Sequence, residues 1–221
     1  MDEISWYPVW LSLKVAITAT TANFFIGTAL AVILSRRDFF GKNLLDAIIM
    51  QPLIMPPTVL GYYLLVLIGR QSFLGVFLED YLKITLIFTW RGAALAAMIA
   101  SLPLFIKPAR AAIESVGSHV ENSARILGKN EWQVFWHVTF PLARRGIIAG
   151  VALAFARSLG EFGTTLMVAG NIPGKTQTLS IAIYDAVQAG NTAKANVLVG
   201  LTTVISIVIL YTVNRAVTQK Y

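Results

Sequence analysis

Apolar residues along this chain come in runs longer than a soluble core requires. A helix needs roughly 20 apolar residues to cross the hydrocarbon core. Five stretches qualify, at about 10–34, 45–68, 84–106, 147–169 and 197–213. The second contains Pro52, Pro56 and Pro57, which remove backbone donors and predict a bend within that span. Between the fourth and fifth lies a shorter piece, Thr178–Ala189, with Leu179, Ile183 and Val187 on one face. It is too short to span and predicts a surface or re-entrant helix. The pattern as a whole predicts an all-α integral membrane protein, a single transmembrane domain over 1–221 with about five spans.

The polar positions set the orientation, because cytoplasmic loops are enriched in Lys and Arg. Arg36, Arg37, Lys42, Lys107, Arg110, Arg125, Lys129, Arg144, Arg145, Arg215 and Lys220 fall on one side. Arg70, Lys83, Arg91, Lys175 and Lys194 fall on the other. Eleven against five puts the N-terminus outside, the C-terminus inside and residues 107–145 in the cytoplasm. Asp2 and Glu3 are acidic where a cleaved signal needs a basic segment, so the first span is expected to stay. The net charge of +7 sits at the ends of apolar segments rather than along one soluble stripe, which argues against nucleic acid. Only 13% of residues are charged, about half the soluble norm, and no cysteine exists to form a disulfide or thiolate site.

Residues 107–145 form the one long polar excursion. Ile113, Val116, Val120, Ala124 and Leu127 recur at three- and four-residue intervals and predict one apolar helical face. Glu121 and Arg125, one turn apart, are expected to pair on the exposed side. Gly128 supplies a left-handed helix stop. Asn130 with Gln133 resembles a capping box for a second short helix carrying Trp132, Phe135 and Trp136. Pro141 marks where the next span restarts. Such helices either pack on the protein's own spans or enter a partner's groove.

Three ionisable residues fall inside spans, where each is costly and so a functional candidate. Lys14 can snorkel to the interface. Arg157 and Glu161, four apart, share a face and can neutralise one another, as a structural pair or beside a pathway. Both histidines, His119 and His137, lie in the cytoplasmic stretch, and no H-E-x-x-H motif, paired acidic motif or metal-ligand cluster exists. A membrane-embedded enzyme therefore lacks a catalytic set. The chain also lacks G-x-x-x-x-G-K-[ST], so any ATP is bound by a partner and no cofactor belongs to this chain. A channel or scaffold without an ATPase is the other rival class.

The segment Glu121-Asn-Ser-Ala-Arg-Ile-Leu-Gly128, followed by Phe135, Val138 and Pro141, resembles the EAA motif of ABC importer permeases. Ala124 and Gly128 match it, whereas Asn122 and Ser123 stand where alanine is commonest. The resemblance implies that Glu121, Ala124, Arg125, Leu127 and Gly128 lie on a coupling helix docking a cytoplasmic ATPase. Three further stretches resemble the molybdate permease subunits: Pro52-Leu-Ile-Met-Pro-Pro-Thr-Val-Leu-Gly-Tyr62, Trp90-Arg-Gly-Ala-Ala-Leu-Ala96 and Arg157-Ser-Leu-Gly-Glu-Phe-Gly163. The last is shared with sulfate and thiosulfate permeases, which are the second reading. The resemblance implies import of a tetrahedral oxyanion, molybdate or the similar tungstate, across the bacterial inner membrane. It also implies a second permease copy, two ABC ATPase subunits and an extracytoplasmic oxyanion-binding protein.

Overall fold

A computed structural model describes residues 5–218, and every described element is helical. Asp2, Glu3 and Lys220 lie outside the described residues. The first helix, α1 (Tyr7–Arg36), carries Pro8 in its opening turn, where a missing N–H costs nothing. The second expected span is two helices, α2 (Lys42–Ile54) and α3 (Pro57–Ile68), bent by 119° at their junction. Pro52 stays inside α2; the break is made by Pro56 and Pro57. A residue before proline is driven out of the helical region, and Met55 is accordingly extended, with ψ of 141°.

A short helix that the apolar pattern does not predict, α4 (Phe73–Asp80), is capped by Ser72, whose hydroxyl accepts the Gly75 N–H at 2.9 Å. Next comes α5 (Trp90–Ser115), offset from the expected 84–106 at both ends. The Thr89 side chain caps its start, and the helix carries on past Lys107 into the polar stretch. Then follow α6 (Ser118–Ile126), α7 (Glu131–Val134) and a π-helical stretch, Phe135–Thr139, running straight into α8 (Phe140–Leu159). The chain does not restart at Pro141; the wider i→i+5 turn, with Phe140 N–H on the Phe135 carbonyl, lets the helix pass through it. The fourth expected span also differs, because it breaks at Gly160–Phe162 before α9 (Gly163–Ala169). Finally, α10 (Leu179–Gln188) leads into α11 (Thr192–Thr218). On α10 the buried face is Leu179, Ile181, Ala182 and Ala186, and Val187 points outward at 62% exposure.

Three levels of contact show that α1 and α5 run in the same direction. At one end Lys14 Nζ lies 3.7 Å over the Trp90 ring. Midway, Asn23 donates to the Ser101 hydroxyl at 2.8 Å; at the far end Arg36 donates to the Ile113 carbonyl at 3.0 Å. Two parallel spans need an odd number of crossings between them, so the broken α2–α3 pair is one crossing. Among the described residues four helices are individually long and apolar enough to span, and the bent pair makes five. Positive charge then assigns the Arg36 end to the cytoplasm.

The core is built on close helix approach. A Cβ on Gly150 would lie 2.7 Å from the Phe105 carbonyl oxygen, so only glycine allows α8 to seat against α5 there. Leu34, Ile106, Ile113 and Ile147 fill the inner half, and Leu11, Val15, Ala93 and Ala97 the outer half. Between them a polar string, Asn23–Ser101–Ser158, joins α1, α5 and α8 at 2.8 and 2.9 Å. Each such hydrogen bond in a membrane interior contributes on average about 0.6 kcal/mol.

Candidate functional site

The cytoplasmic arm from α6 to the π stretch is pinned to the bundle by a charge the sequence misplaces. Glu121 is not on an exposed face: it is 3% exposed, ion-paired to Arg36 and accepting the Thr139 hydroxyl at 2.5 Å. Arg36 at the same time donates to the carbonyls of Ile113 (3.0 Å) and Val116 (3.5 Å), the orphaned end of α5. One guanidinium therefore ties together the ends of α1 and α5 and the start of α6. Arg125 sits only 3.7 Å from Glu121 but commits to Glu131 through a two-pronged contact of 2.7 and 3.0 Å, and to Asn122 at 2.6 Å. That hydrogen bonding raises the Arg125 guanidinium above its usual value, so it stays charged. It staples α6 to α7 across the intervening turn.

The predicted continuous apolar face from Ile113 to Leu127 is also corrected. Ile113 and Val116 are buried, but α5 ends there with Val116 non-helical, and α6 starts again after Gly117 on a new axis. The apolar residues of α6 then point outward: Val120 is 37%, Ile126 85% and Leu127 82% exposed, and Ala124 is half-buried. Gly128 has φ of +84°, the left-handed stop, and a Cβ there would meet nothing within 4 Å. Asn130 and Gln133 form the reciprocal capping box at 2.9 and 3.2 Å. The outcome is an arm held by ion pairs whose tip, Ile126–Gly128, is apolar, exposed and without a side-chain partner among the described residues.

Within the membrane the two helix breaks meet. The Thr164 hydroxyl donates to the Pro57 carbonyl at 3.2 Å, and a Cβ on Gly163 would lie 2.8 Å from Pro57 Cβ. Arg157, on α8, pairs directly with Glu161, which is almost fully buried in the break. The other Glu161 oxygen accepts the Thr164 N–H at 3.0 Å, tying down the start of α9. Glu161 is thus held twice, and its charge offsets that of Arg157. The prolines of the α2–α3 break and the Arg157–Glu161 pair lie on elements that adjoin, which sequence spacing alone did not reveal. Sequence spacing assigns no site role to Arg36, Thr139 or Ile126; Arg36 reads as loop charge because its partner lies 85 residues on. Among the described residues no group of three His, Asp or Glu side chains could hold a metal ion.

Broken spans meeting inside a five-crossing bundle, with a pinned cytoplasmic arm presenting an apolar tip, define a membrane-embedded transport subunit built to engage other proteins. The chain belongs to the family of binding-protein-dependent transport system inner membrane components, whose model it matches over residues 24–221. It is 46% identical over 188 residues to the molybdenum transport system permease protein ModB of Escherichia coli K12, covering 85% of this chain and 82% of that one. A putative molybdenum transport system permease of Bacillus subtilis is 40% identical over 212 residues (96% and 93%). The sulfate permease protein CysT of Escherichia coli K12 is 32% identical over 97% of this chain and 82% of its own. Among solved structures, a chain of the MetNI methionine ABC transporter superposes with a TM-score of 0.74 at 17% identity, covering 98% of each chain. A chain of a bacterial alginate ABC importer gives 0.78 at 14%, covering all of this chain and 82% of that one. These structures share the fold. The protein is accordingly a multi-pass component of the cytoplasmic membrane, working in a transport system that depends on a binding protein.

Proposed function

We propose that this chain is the pathway-forming permease of an ATP-driven molybdate importer. Two copies face one another across the pathway, and each docks one of two cytoplasmic ATPase subunits through the Glu121–Gly128 region. An extracytoplasmic binding protein delivers the anion; tungstate, alike in charge and shape, is the accompanying substrate. The substrate assignment rests on the molybdenum permeases among the relatives, at 37–46% identity and matched over 78–93% of their own length, against sulfate permeases at 32–39% matched over 50–82% of theirs.

The docking assignment rests on one observation: the tip of α6 exposes Ile126 and Leu127 while the charges behind it, Glu121 and Arg125, are paired within the chain. Glu121 and Arg125 support the arm from behind, and Leu127, Gly128 and the half-buried Ala124 provide contact surface. Closure of the ATPases on ATP would draw the two arms together. The Arg36–Glu121 tie would then carry that movement into α1 and α5, a two-state element biased from a distant site. Inside the membrane, the junction of the two breaks (Pro56, Pro57, Gly163) is the pathway wall, with Arg157–Glu161 as a structural pair that holds its shape.

Gly128→Trp tests the docking. The space at Gly128 is open within the chain, so bulk there meets only a partner. Membrane insertion is expected to be normal and ATPase co-purification to fall at least about tenfold, the loss of one good contact. Undiminished co-purification would refute the assignment.

A further inference from the structure

A cleft of about 720 Å³ runs along the inner half of α1, between it and the arm formed by α7 and the π stretch. Its rim is aromatic and aliphatic: Phe25 is 67%, Ile33 40%, Trp132 71% and Trp136 41% exposed. Its inner end carries a net positive charge, with Arg36, Arg37 and Arg125 against Glu121 and Glu131, and Arg125 is paired to Glu131. Arg36 is occupied by Glu121, but the exposed Arg37 guanidinium has no partner among the described residues. From Phe24 to Arg37 the cleft follows α1 for ~20 Å at the helical rise per residue. It therefore reaches from the cytoplasmic interface well into the ~30 Å hydrocarbon layer.

Wherever a groove at that depth is not covered by protein, it faces hydrocarbon rather than water. Water does not fill an apolar groove in hydrocarbon, and an empty one forfeits the dispersion contacts of its walls. An ATPase approaching from the cytoplasm meets the tip of α6 but not Phe24 or Phe25. The occupant must be apolar along its length and anionic at the cytoplasmic end. We infer that the cleft is a binding site for one anionic phospholipid of the inner leaflet, with its phosphate on Arg37 and an acyl chain along Phe25 and Ile33. Tryptophans at the level of the head group are suited to this position. Because Trp132 and Trp136 belong to the coupling arm, the lipid braces that arm against α1.

The test uses the assembled transporter, with its ATPase, in vesicles doped with phosphatidylglycerol or phosphatidylcholine carrying a photoreactive acyl chain. Labelling is mapped to peptides. One basic side chain near an anionic head group gives about a fivefold preference. Phosphatidylglycerol is therefore expected to label residues 24–33 and 132–140 about fivefold more than phosphatidylcholine. Arg37→Ala is expected to bring that ratio close to one, and Ile33→Trp, which narrows the cleft along the acyl chain, to weaken the labelling of residues 24–33. Uniform labelling around the bundle, or an unchanged ratio in Arg37→Ala, overturns the site. So does a disulfide between two Ile33→Cys chains, which would place a second copy in the cleft; the absence of native cysteine makes that readout unambiguous. Labelling that rises when the ATPase is stripped off would assign the cleft to the ATPase instead.

Discussion

At the scale of single residues, Glu121 separates what the sequence discloses from what the fold adds. Its position four residues before Arg125 signalled a surface pair worth a few tenths of a kcal/mol. The structure instead buries it against Arg36 and Thr139; the pair with Arg125 is present but long, at 3.7 Å, and Arg125 is held more closely by Glu131. Removing one partner of a buried pair leaves an uncompensated charge and costs about 3–5 kcal/mol. Glu121→Ala is therefore expected to lower the thermal stability of the purified complex markedly and to expose the 117–139 arm to protease. Arg36→Met with Glu121→Met should recover part of that loss, although the Ile113 and Val116 carbonyls stay unserved. If Glu121→Ala melts like the parent protein, the tie is not structural. Gly128, by contrast, was legible from sequence because a helix stop is a local demand: its φ of +84° costs an ordinary residue about 1 kcal/mol. Asparagine tolerates that conformation. Gly128→Asn should thus keep ATPase binding within about threefold while Gly128→Trp loses it.

At the scale of helices, periodicity and hydropathy located the apolar segments but not their interruptions. Adjacent prolines announced the α2–α3 break, since each disfavours the helical region for the residue before it and two in succession also remove two backbone donors. The α8–α9 break carries no such mark. Gly160 and Gly163 are compatible with an unbroken apolar helix, and only contact with Pro57 and the cap from Glu161 fix the interruption. Likewise α5 overran its predicted end, because hydropathy registers Lys107 as the edge of the membrane while the backbone has no reason to stop there. The meeting of the two breaks is sterically tight. Gly163→Leu is expected to insert normally, preserve ATPase binding and cut uptake at least about tenfold by forcing Pro57 away. Gly150→Leu should act differently, since it separates α5 from α8 in the core; overpacking there costs about 1–3 kcal/mol or more and lowers stability along with activity. Equal stability losses in the two variants would argue against a functional distinction between junction and core.

At the scale of the whole molecule, direction of travel is the organising fact. Parallel α1 and α5 force the bent pair to cross, which places Arg36, the α6 tip and Arg145 on one side and Lys14, Trp90 and α10 on the other. Charge counting had given the same sidedness from sequence because it depends only on loop composition. The substrate is legible in the sequence only through resemblance and not through charge, since the described interior presents a neutralised Arg157–Glu161 pair rather than an unmatched cation. The molybdate assignment therefore belongs to the whole assembly and is tested there. The decisive measurement is ATP-driven molybdate uptake into vesicles holding this chain, its ATPase and its binding protein, with a hundredfold excess of sulfate or an equal amount of tungstate. Uptake is predicted to require ATP, to persist under sulfate and to be roughly halved by tungstate. Uptake without ATP, or suppression by sulfate as strong as by molybdate itself, would contradict the account.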